Sequence, residues 1–339
     1  MERRPREWAQ RRRIAARHLI VAAAMMLFAG SASPLAAQLQ DAPQSARATD
    51  FGLRLEVRAV DLWIAVADRR GRPVDALQAA NFRVFEDDHR QRIDSVVRAS
   101  AFPLSLAVVL DTSPTMTEGG VIDAAVTAIA DCLPRIVRPQ DRAGLLTFRR
   151  TLFEQVAWTD QVAALRAGLE AAQRESQHLS AEGTAVRDSL IEALDRLAQR
   201  PGRRAIVLVT DGRDNASDHD HQALAARLGR GDARLYVLLV GRRQLGNRLP
   251  ALAAKSGGRA FRARFPEAIS STLRAIEREL AGPYSGQYVV SYRSSHADDA
   301  RCREIGLDAR RDGRSLRVRS IGGYCPQAPV PKQRVPSDR

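Results

Sequence analysis

The stretch Leu104-Ser-Leu-Ala-Val-Val-Leu110-Asp111 decides the fold of this chain. A largely apolar run that ends at an acidic side chain is typical of a strand covered on both faces of a parallel sheet. Similar runs alternate with helical patterns throughout residues 102–281. This alternation predicts βαβ units, so we expect an α/β domain with a doubly wound, mostly parallel sheet and helices on both faces. The five predicted strands are residues 104–110, 143–148, 205–209, 235–240 and 259–263.

Acidic and hydroxyl side chains follow three segments of this domain. Asp111, Ser113 and Thr115 come directly after the first strand, Thr184 lies in a polar loop before a helix, and Asp211 ends the third strand. Ligands in such sheets bind outside the carboxyl ends of the strands, and Mg²⁺ takes oxygen ligands with only one or two carboxylates. We therefore expect these five residues to form a metal site. The alternative is that Asp111 and Asp211 only cap the turns that follow them.

The pattern Asp111-x-Ser113-x-Thr115, then Thr184, then Asp211-Gly212 resembles the metal-ion-dependent adhesion site of von Willebrand factor type A (VWFA) domains. Their motif is Asp-x-Ser-x-Ser with a distant Thr and a distant Asp. The resemblance implies bound Mg²⁺, or Mn²⁺ or Ca²⁺, whose open position accepts an exposed Asp or Glu of a partner protein. The sequence departs from the motif at Thr115, where a second serine is usual, and at Pro114, where glycine is common.

The flanks of the α/β domain carry alternating patterns that predict β-strands. Residues 51–100 and 284–325 each have one apolar face to bury, and neither has enough strands for a sandwich of its own. We expect them to form one small β-sandwich into which the middle domain is inserted. The side chains expected inside it are Leu62, Ile64, Val66, Phe82, Val84, Phe85, Tyr288, Val290, Tyr292, Ile305, Leu307 and Val318. With these flanks, residues 50–326 resemble secreted bacterial VWFA-related proteins.

The first residues have the pattern of a targeting segment. A basic region precedes an apolar run from Leu19 to Phe28, and small residues follow up to Ala37. This order is typical of a secretory signal peptide, predicted here as residues 1–37; an uncleaved membrane anchor is the alternative. We expect a linker at 38–50, a disordered tail at 326–339, and a protein exported to the periplasm or secreted, with membrane contact only through an uncleaved leader.

The net charge of +14 gives no evidence of a nucleic-acid site. Of 53 basic residues, all but Lys255 and Lys332 are arginines, and after the leader they are spread without a dense run. Nucleic-acid binding requires clustered charge, usually with stacking aromatic side chains, and aromatic residues are only 5% of the chain. We therefore expect no nucleic-acid partner.

Two further groups of residues are candidates for special chemistry. Asp218-His219-Asp220-His221 could bind a transition metal, although such a run more often begins a helix. Cys302 and Cys325 flank a predicted hairpin turn at Asp312-Gly313. They could form a disulfide in an oxidising compartment, but the strand register that would decide this is open.

Three classes of function remain. We expect an extracytoplasmic binding or scaffold module with a metal-dependent site, and not an enzyme. A structural envelope protein with an inert metal site is the first alternative. A metal-dependent hydrolase is the second, and it has poor support because no His stands near Ser113 or Thr184 in a recognisable motif. The identity of the partner and the oligomeric state are not encoded in any motif.

Overall fold

The structure is a computed structural model that describes residues 59–177, 183–231, 233–241, 248–281, 286–294 and 301–325. The predicted leader, linker and C-terminal tail lie outside these residues, and so does the start of the first flank, 51–58. In the part described, no helix is long and apolar enough to span a membrane.

A six-stranded sheet forms the centre of the α/β domain. Its strands are β5 (Leu104–Asp111), β6 (Arg142–Phe148), β7 (Leu152–Thr159), β8 (Arg203–Thr210), β9 (Arg234–Val240) and β10 (Arg259–Ala263). They lie in the order β10-β9-β8-β5-β6-β7, and every neighbouring pair is parallel except β6 and β7. Strand β7 was not predicted, because it is an edge strand whose only buried residue is Leu152 and its apolar alternation is weak.

Helices cover both faces of this sheet. They are α1 (Pro114–Thr117), α2 (Val121–Ile136), α3 (Val162–Ser176), α4 (Val186–Ala198), α5 (His221–Leu228), α6 (Leu249–Lys255) and α7 (Glu267–Ala281). Side chains of α2, α3 and α7 pack on one face, and those of α4, α5 and α6 pack on the other. All eight residues of β5 are buried, as the opening stretch of sequence predicted.

The two flanks form a second, antiparallel β domain. Its strands are β1 (Ala59–Ala67), β2 (Phe82–Glu86), β3 (His89–Gln91), β4 (Ile93–Arg98), β11 (Gln287–Arg293), β12 (Arg303–Arg311), β13 (Arg314–Ser315), β14 (Arg317–Arg319) and β15 (Gly323–Tyr324). One sheet has the order β14-β1-β11-β4 and the other β13-β12-β2-β3, with β15 beside β12. Each sheet combines strands from both flanks, so the predicted fold class is confirmed.

The core of the β domain corrects one predicted position. Most of the expected side chains are buried together, but Phe85 is only partly buried and the next residue, Glu86, is completely buried. Strand alternation explains this result, because Phe82, Val84 and Glu86 share one face of β2. Glu86 is tolerated inside because Tyr292 Oη donates to its Oε2 at 2.7 Å and Ser294 Oγ donates to its Oε1 at 2.6 Å.

Cys302 and Cys325 form a disulfide. It joins the residue before β12 to the residue after β15, and these two strands also pair with each other. The predicted hairpin turn is present at Asp312 and Gly313, which have φ values of 50° and 74°. Cys132 is buried in α2 as a free thiol.

Candidate functional site

Asp111 lies at the carboxyl end of β5, with its side chain turned into the protein. It is completely buried. Its Oδ1 accepts a hydrogen bond of 2.9 Å from the backbone N–H of Ser113, and its Oδ2 accepts one of 2.5 Å from Thr210 Oγ1. The carboxylate is therefore fixed by one backbone and one side-chain donor at the edge of the sheet.

The electrostatic environment disfavours a charge on Asp111. Burial raises the pKa of this carboxyl to about 6, and the hydrogen bonds from Thr210 and Ser113 oppose that change. The negative charge of Asp211 also contributes to this raised pKa. No basic side chain of the described residues forms an ion pair with Asp111. A buried carboxylate in this situation is stabilised by any cation placed against it.

Ser113 and Thr115 present two hydroxyl groups beside Asp111. Their oxygens are 3.2 Å apart, and the Ser113 side chain is buried. Ser113 is the residue before α1, and Pro114 begins that helix, a position where the fixed φ of proline is favourable. The proline at the position where the related motif has glycine therefore starts a short helix without displacing the hydroxyls on either side.

Asp211 follows β8 on the adjacent loop. Its Oδ1 accepts a 2.9 Å hydrogen bond from the backbone N–H of Arg213, and its Oδ2 lies 3.3 Å from Arg213 Nε. Asp211, Arg213 and Thr115 line the same cavity of about 190 Å³, together with Glu118 and Gly241. The second carboxylate is therefore accessible from solvent, unlike Asp111, and it already has a cationic partner.

Thr184 is on the polar loop predicted before a helix, and it is buried. Its backbone N–H donates to Asn215 Oδ1 at 2.8 Å, and its carbonyl accepts from the N–H groups of Asn215 and Ala216. These bonds join the loop before α4 to the loop after β8. Of the five predicted residues, the structure thus brings Asp111, Ser113 and Thr115 into direct or successive contact. Asp211 shares a cavity with Thr115, and Thr184 is held on an adjoining loop.

Three residues of the site were not predicted. Thr210 donates to Asp111, and Arg213 pairs with Asp211. Arg149 Nε donates to the carbonyl of Thr112 at 3.0 Å, while its own carbonyl accepts from Ala185. The sequence contains a signal for Thr210, because a hydroxyl at the end of an apolar strand lies at the same edge as Asp111. Nothing in the local pattern distinguishes Arg213 and Arg149 from the many other arginines.

The donor atoms at this edge fit a hard divalent cation. One buried carboxylate, one accessible carboxylate and adjacent hydroxyls provide the oxygen ligands that Mg²⁺ prefers. Asp111 has no cationic partner among the described residues, which leaves its charge for a metal. Arg213 disfavours metal binding, because it forms an ion pair with Asp211 Oδ2. We find no cluster of three or more His, Cys, Asp or Glu side chains arranged for a metal within the described ranges.

The run from Asp218 to His221 begins a helix. Asp220 caps α5, and its Oδ1 accepts a 2.8 Å hydrogen bond from Ala223 N–H. His219 Nδ1 lies 3.0 Å from Asp188 Oδ1 on α4. The interpretation of this run as a helix start is therefore confirmed. The His219 side chain contacts Asp188, and the Asp220 side chain is bonded to the backbone of α5.

Residues 106–213 match the family model described as von Willebrand factor type A domain. Among solved structures, BatB from Bacteroides thetaiotaomicron is 20% identical, with 52% of this chain and 99% of that chain covered and a TM-score of 0.41. A von Willebrand factor type A structure from Catenulispora acidiphila is 13% identical, with 80% and 74% covered and a TM-score of 0.43. The von Willebrand factor domain of the pilus tip protein Mfa5 from Porphyromonas gingivalis is 12% identical, with 54% and 95% covered and a TM-score of 0.41. No curated protein sequence matches this chain.

Proposed function

Because residues 106–213 of this chain belong to a von Willebrand factor type A domain, we propose that the protein is a metal-dependent binding module. Asp111, Ser113, Thr115, Thr184 and Asp211 would hold Mg²⁺, or Mn²⁺ or Ca²⁺, and the ion would supply an open position for a carboxylate of a partner protein. One observation carries the proposal: the buried Asp111 carboxylate has hydroxyl neighbours and no cationic partner in the described part of the chain.

The residues of this chain have separate roles in such binding. Asp111 provides the charge, and Thr210 and the Ser113 N–H fix its orientation. Thr115 and Asp211 face the cavity, where an acidic side chain of the partner could approach. We propose a binding role and not a catalytic one because of the groups that the described residues place around Ser113 and Thr184. Ser113 is bonded to the Asp111 carboxylate and the Thr115 hydroxyl, and the N–H of Thr184 is bonded to the side-chain amide of Asn215. None of these is a histidine base of the kind that activates a hydroxyl nucleophile.

We further propose that the protein works outside the cytoplasm. The leader pattern at residues 1–37 supports export. The disulfide between Cys302 and Cys325 supports an oxidising compartment, because disulfides are rare in the cytosol. Labelling of the two thiols in intact cells tests this proposal, since a cytoplasmic protein would have both thiols reduced.

Metal binding is tested by calorimetry with Mg²⁺ and Mn²⁺. We expect weak to moderate affinity for the wild type, since two carboxylates offset dehydration of the ion less than a full oxygen cage does. Asp111→Ala should abolish binding, because the hydroxyls lose their main anionic neighbour. Asp218→Ala, at an exposed position three residues before α5, is the matched control. Equal affinity of the Asp111→Ala variant and the wild type would exclude this site.

Partner binding is tested by capture from envelope extracts with and without a chelator. A partner that is retained with Mg²⁺ and lost with chelator or with Asp111→Ala supports the module proposed here. If the metal binds but capture does not depend on it, the metal site is inert and the protein is structural. If turnover of a substrate requires the metal, the hydrolase alternative replaces the binding role.

A further inference from the structure

Two buried arginines lie at the amino ends of neighbouring central strands. Arg203 begins β8 and Arg234 begins β9, and their exposed fractions are 7% and 8%. This is the edge of the sheet opposite to Asp111, where the α/β domain meets the β domain. Arginine is almost never fully buried unless it is paired, so these positions require an explanation.

The guanidinium groups of these arginines are incompletely hydrogen-bonded. Among the residues that the structure describes, nothing accepts a hydrogen bond from the buried Nε of Arg203 or from the buried Nε and Nη2 of Arg234. Arg203 makes one bond, from Nη1 to the carbonyl of Leu280 at 3.2 Å. A buried donor without a partner is energetically costly, and more so when the group is charged. An acceptor at this place would therefore remove a considerable free-energy cost.

Positive charge is in excess around Arg203. Burial, with the positive charges of Arg138 and Arg234, lowers the pKa of Arg203 to about 10, and the negative charge of Asp141 opposes this change. Asp141 is itself occupied, because it accepts from the backbone N–H of Leu104 and from both the N–H and the side chain of Arg138. Among the described residues, these three arginines and one engaged carboxylate give a net positive charge in a largely dehydrated place.

Arg203 and Arg234 line a cavity of about 30 Å³. Its walls come from both domains, with Trp63 and Gln287 from the β domain and Tyr236 from β9 among them. A volume of this size holds roughly two water molecules. It is therefore too small for an amino acid or a nucleotide, and it suits a single small ion.

We propose that this cavity, at the junction of the two domains, binds a small monovalent inorganic anion of about the size of chloride. The anion would accept hydrogen bonds from Arg203 and Arg234, compensate the excess positive charge and connect the strands of the α/β domain with β1 and β11. The site is separate from the metal site in position and chemistry, so the two proposals stand or fall independently. Water alone would satisfy the donors but would not compensate the charge.

The test is thermal unfolding of the full chain in sodium chloride and in sodium gluconate at equal ionic strength. Gluconate is too large for the cavity and serves as the reference anion. We expect chloride to raise the midpoint in a saturable way, by roughly 5 °C at about one hundred times its dissociation constant. Chloride-35 NMR gives a second measurement. Binding to the wild type should broaden the chloride line, and added bromide should reverse the broadening because it competes for the same site.

Substitutions of the two arginines test whether the chloride effect arises at this cavity. Arg203→Met and Arg234→Met should lose the chloride dependence and keep or raise the midpoint in gluconate, because an apolar side chain of similar length has no charge to desolvate. Arg310→Met, at an exposed position on β12, should behave as the wild type. The proposal would be overturned if the wild type had equal midpoints in both salts. It would also be overturned if chloride still stabilised both the Arg203→Met and the Arg234→Met variant. If the variants do not fold, NMR broadening of the wild type that bromide does not reverse would overturn it as well.

Discussion

At the scale of single residues, the most informative contrast is between the two carboxylates of the candidate metal site. Asp111 is buried, bonded to neutral donors and has a raised pKa, whereas Asp211 is accessible and paired with Arg213. Both follow apolar strands, so the sequence alone makes them equivalent. Because of these different surroundings, a cation placed at this edge would stabilise the unpaired charge of Asp111 more than that of Asp211, which Arg213 already pairs.

The first prediction concerns the stability of the protein without metal. Burial raises the pKa of Asp111 from its ordinary value of 3.8 to about 6 in the folded chain, so the folded state binds more protons between these pH values. The free energy of unfolding should therefore fall as pH rises from about 3 to about 7, by about 3 kcal/mol from this group alone. Urea unfolding in chelator at several pH values measures this dependence.

Asp111→Asn is the control for this pH dependence, because its amide does not titrate. The difference in unfolding free energy between wild type and Asp111→Asn isolates this group from the other titrating side chains. Mg²⁺ at pH 7 should restore stability to the wild type and not to the variant. Parallel pH curves for the two proteins would contradict the prediction.

The second prediction concerns the arginine that competes with the metal. Arg213→Met removes the ion pair with Asp211 Oδ2 and should increase Mg²⁺ affinity about two- to fivefold, since a partly exposed pair contributes roughly 0.2–1 kcal/mol. Calorimetry measures the change. Arg264→Met is matched to it, because Arg264 is exposed and follows β10 at the same edge of the sheet. An equal increase in both variants would show only a general effect of charge.

At the scale of elements, apolar pattern was enough to predict the five parallel strands and to bring the site loops to one edge. The limits of this reasoning are visible in β2 and β7. In β2 the choice between Phe85 and Glu86 as the inward residue depends on Tyr292 and Ser294, which are about two hundred residues away in the chain. In β7 only one residue is buried. The strand forms through its hydrogen bonds to β6, and such backbone bonds cannot be recognised from the types of residue in the strand.

The third prediction concerns the element that closes the β domain. Replacing both Cys302 and Cys325 by serine should lower the free energy of unfolding by about 3 kcal/mol, because a cross-link over this separation restricts the unfolded chain. Denaturant unfolding with and without reductant measures the effect. Reductant should weaken the wild type to the level of the double variant and leave the double variant unchanged. If reductant weakens both proteins equally, the bond is not the cause.

At the scale of the whole molecule, the β domain is built from segments that the inserted domain separates. β1 pairs with β11 and β2 pairs with β12, so each sheet needs both flanks. The sequence predicted this arrangement because each flank has an apolar face and too few strands to bury it. It did not predict the register, which depends on contacts between the two sheets and not on any local pattern.

The fourth prediction tests this arrangement by truncation. Deleting residues 284–339 removes β11 and β12, so β1 and β2 lose their main partners. Hydrogen exchange should then show that residues 59–98 have lost protection, whereas β5, β8 and β9 remain protected by the helices on both faces. Continued protection of residues 59–98 in the truncated chain would mean that the first flank is stable without the second.

The same arrangement has a consequence for mechanical force applied between the start of β1 and the end of β11. Force that enters at β1 passes to β11 through the hydrogen bonds between these two strands. The inserted domain is not part of this path, so the force does not stretch it. Ala59 at the start of β1 lies opposite Arg293 at the end of β11, so a pull on these two points opens the hydrogen bonds one after another and not all at once. Under such a pull we therefore expect the β domain to unfold before the α/β domain, so that the edge of the central sheet with Asp111 stays intact while the flanks extend.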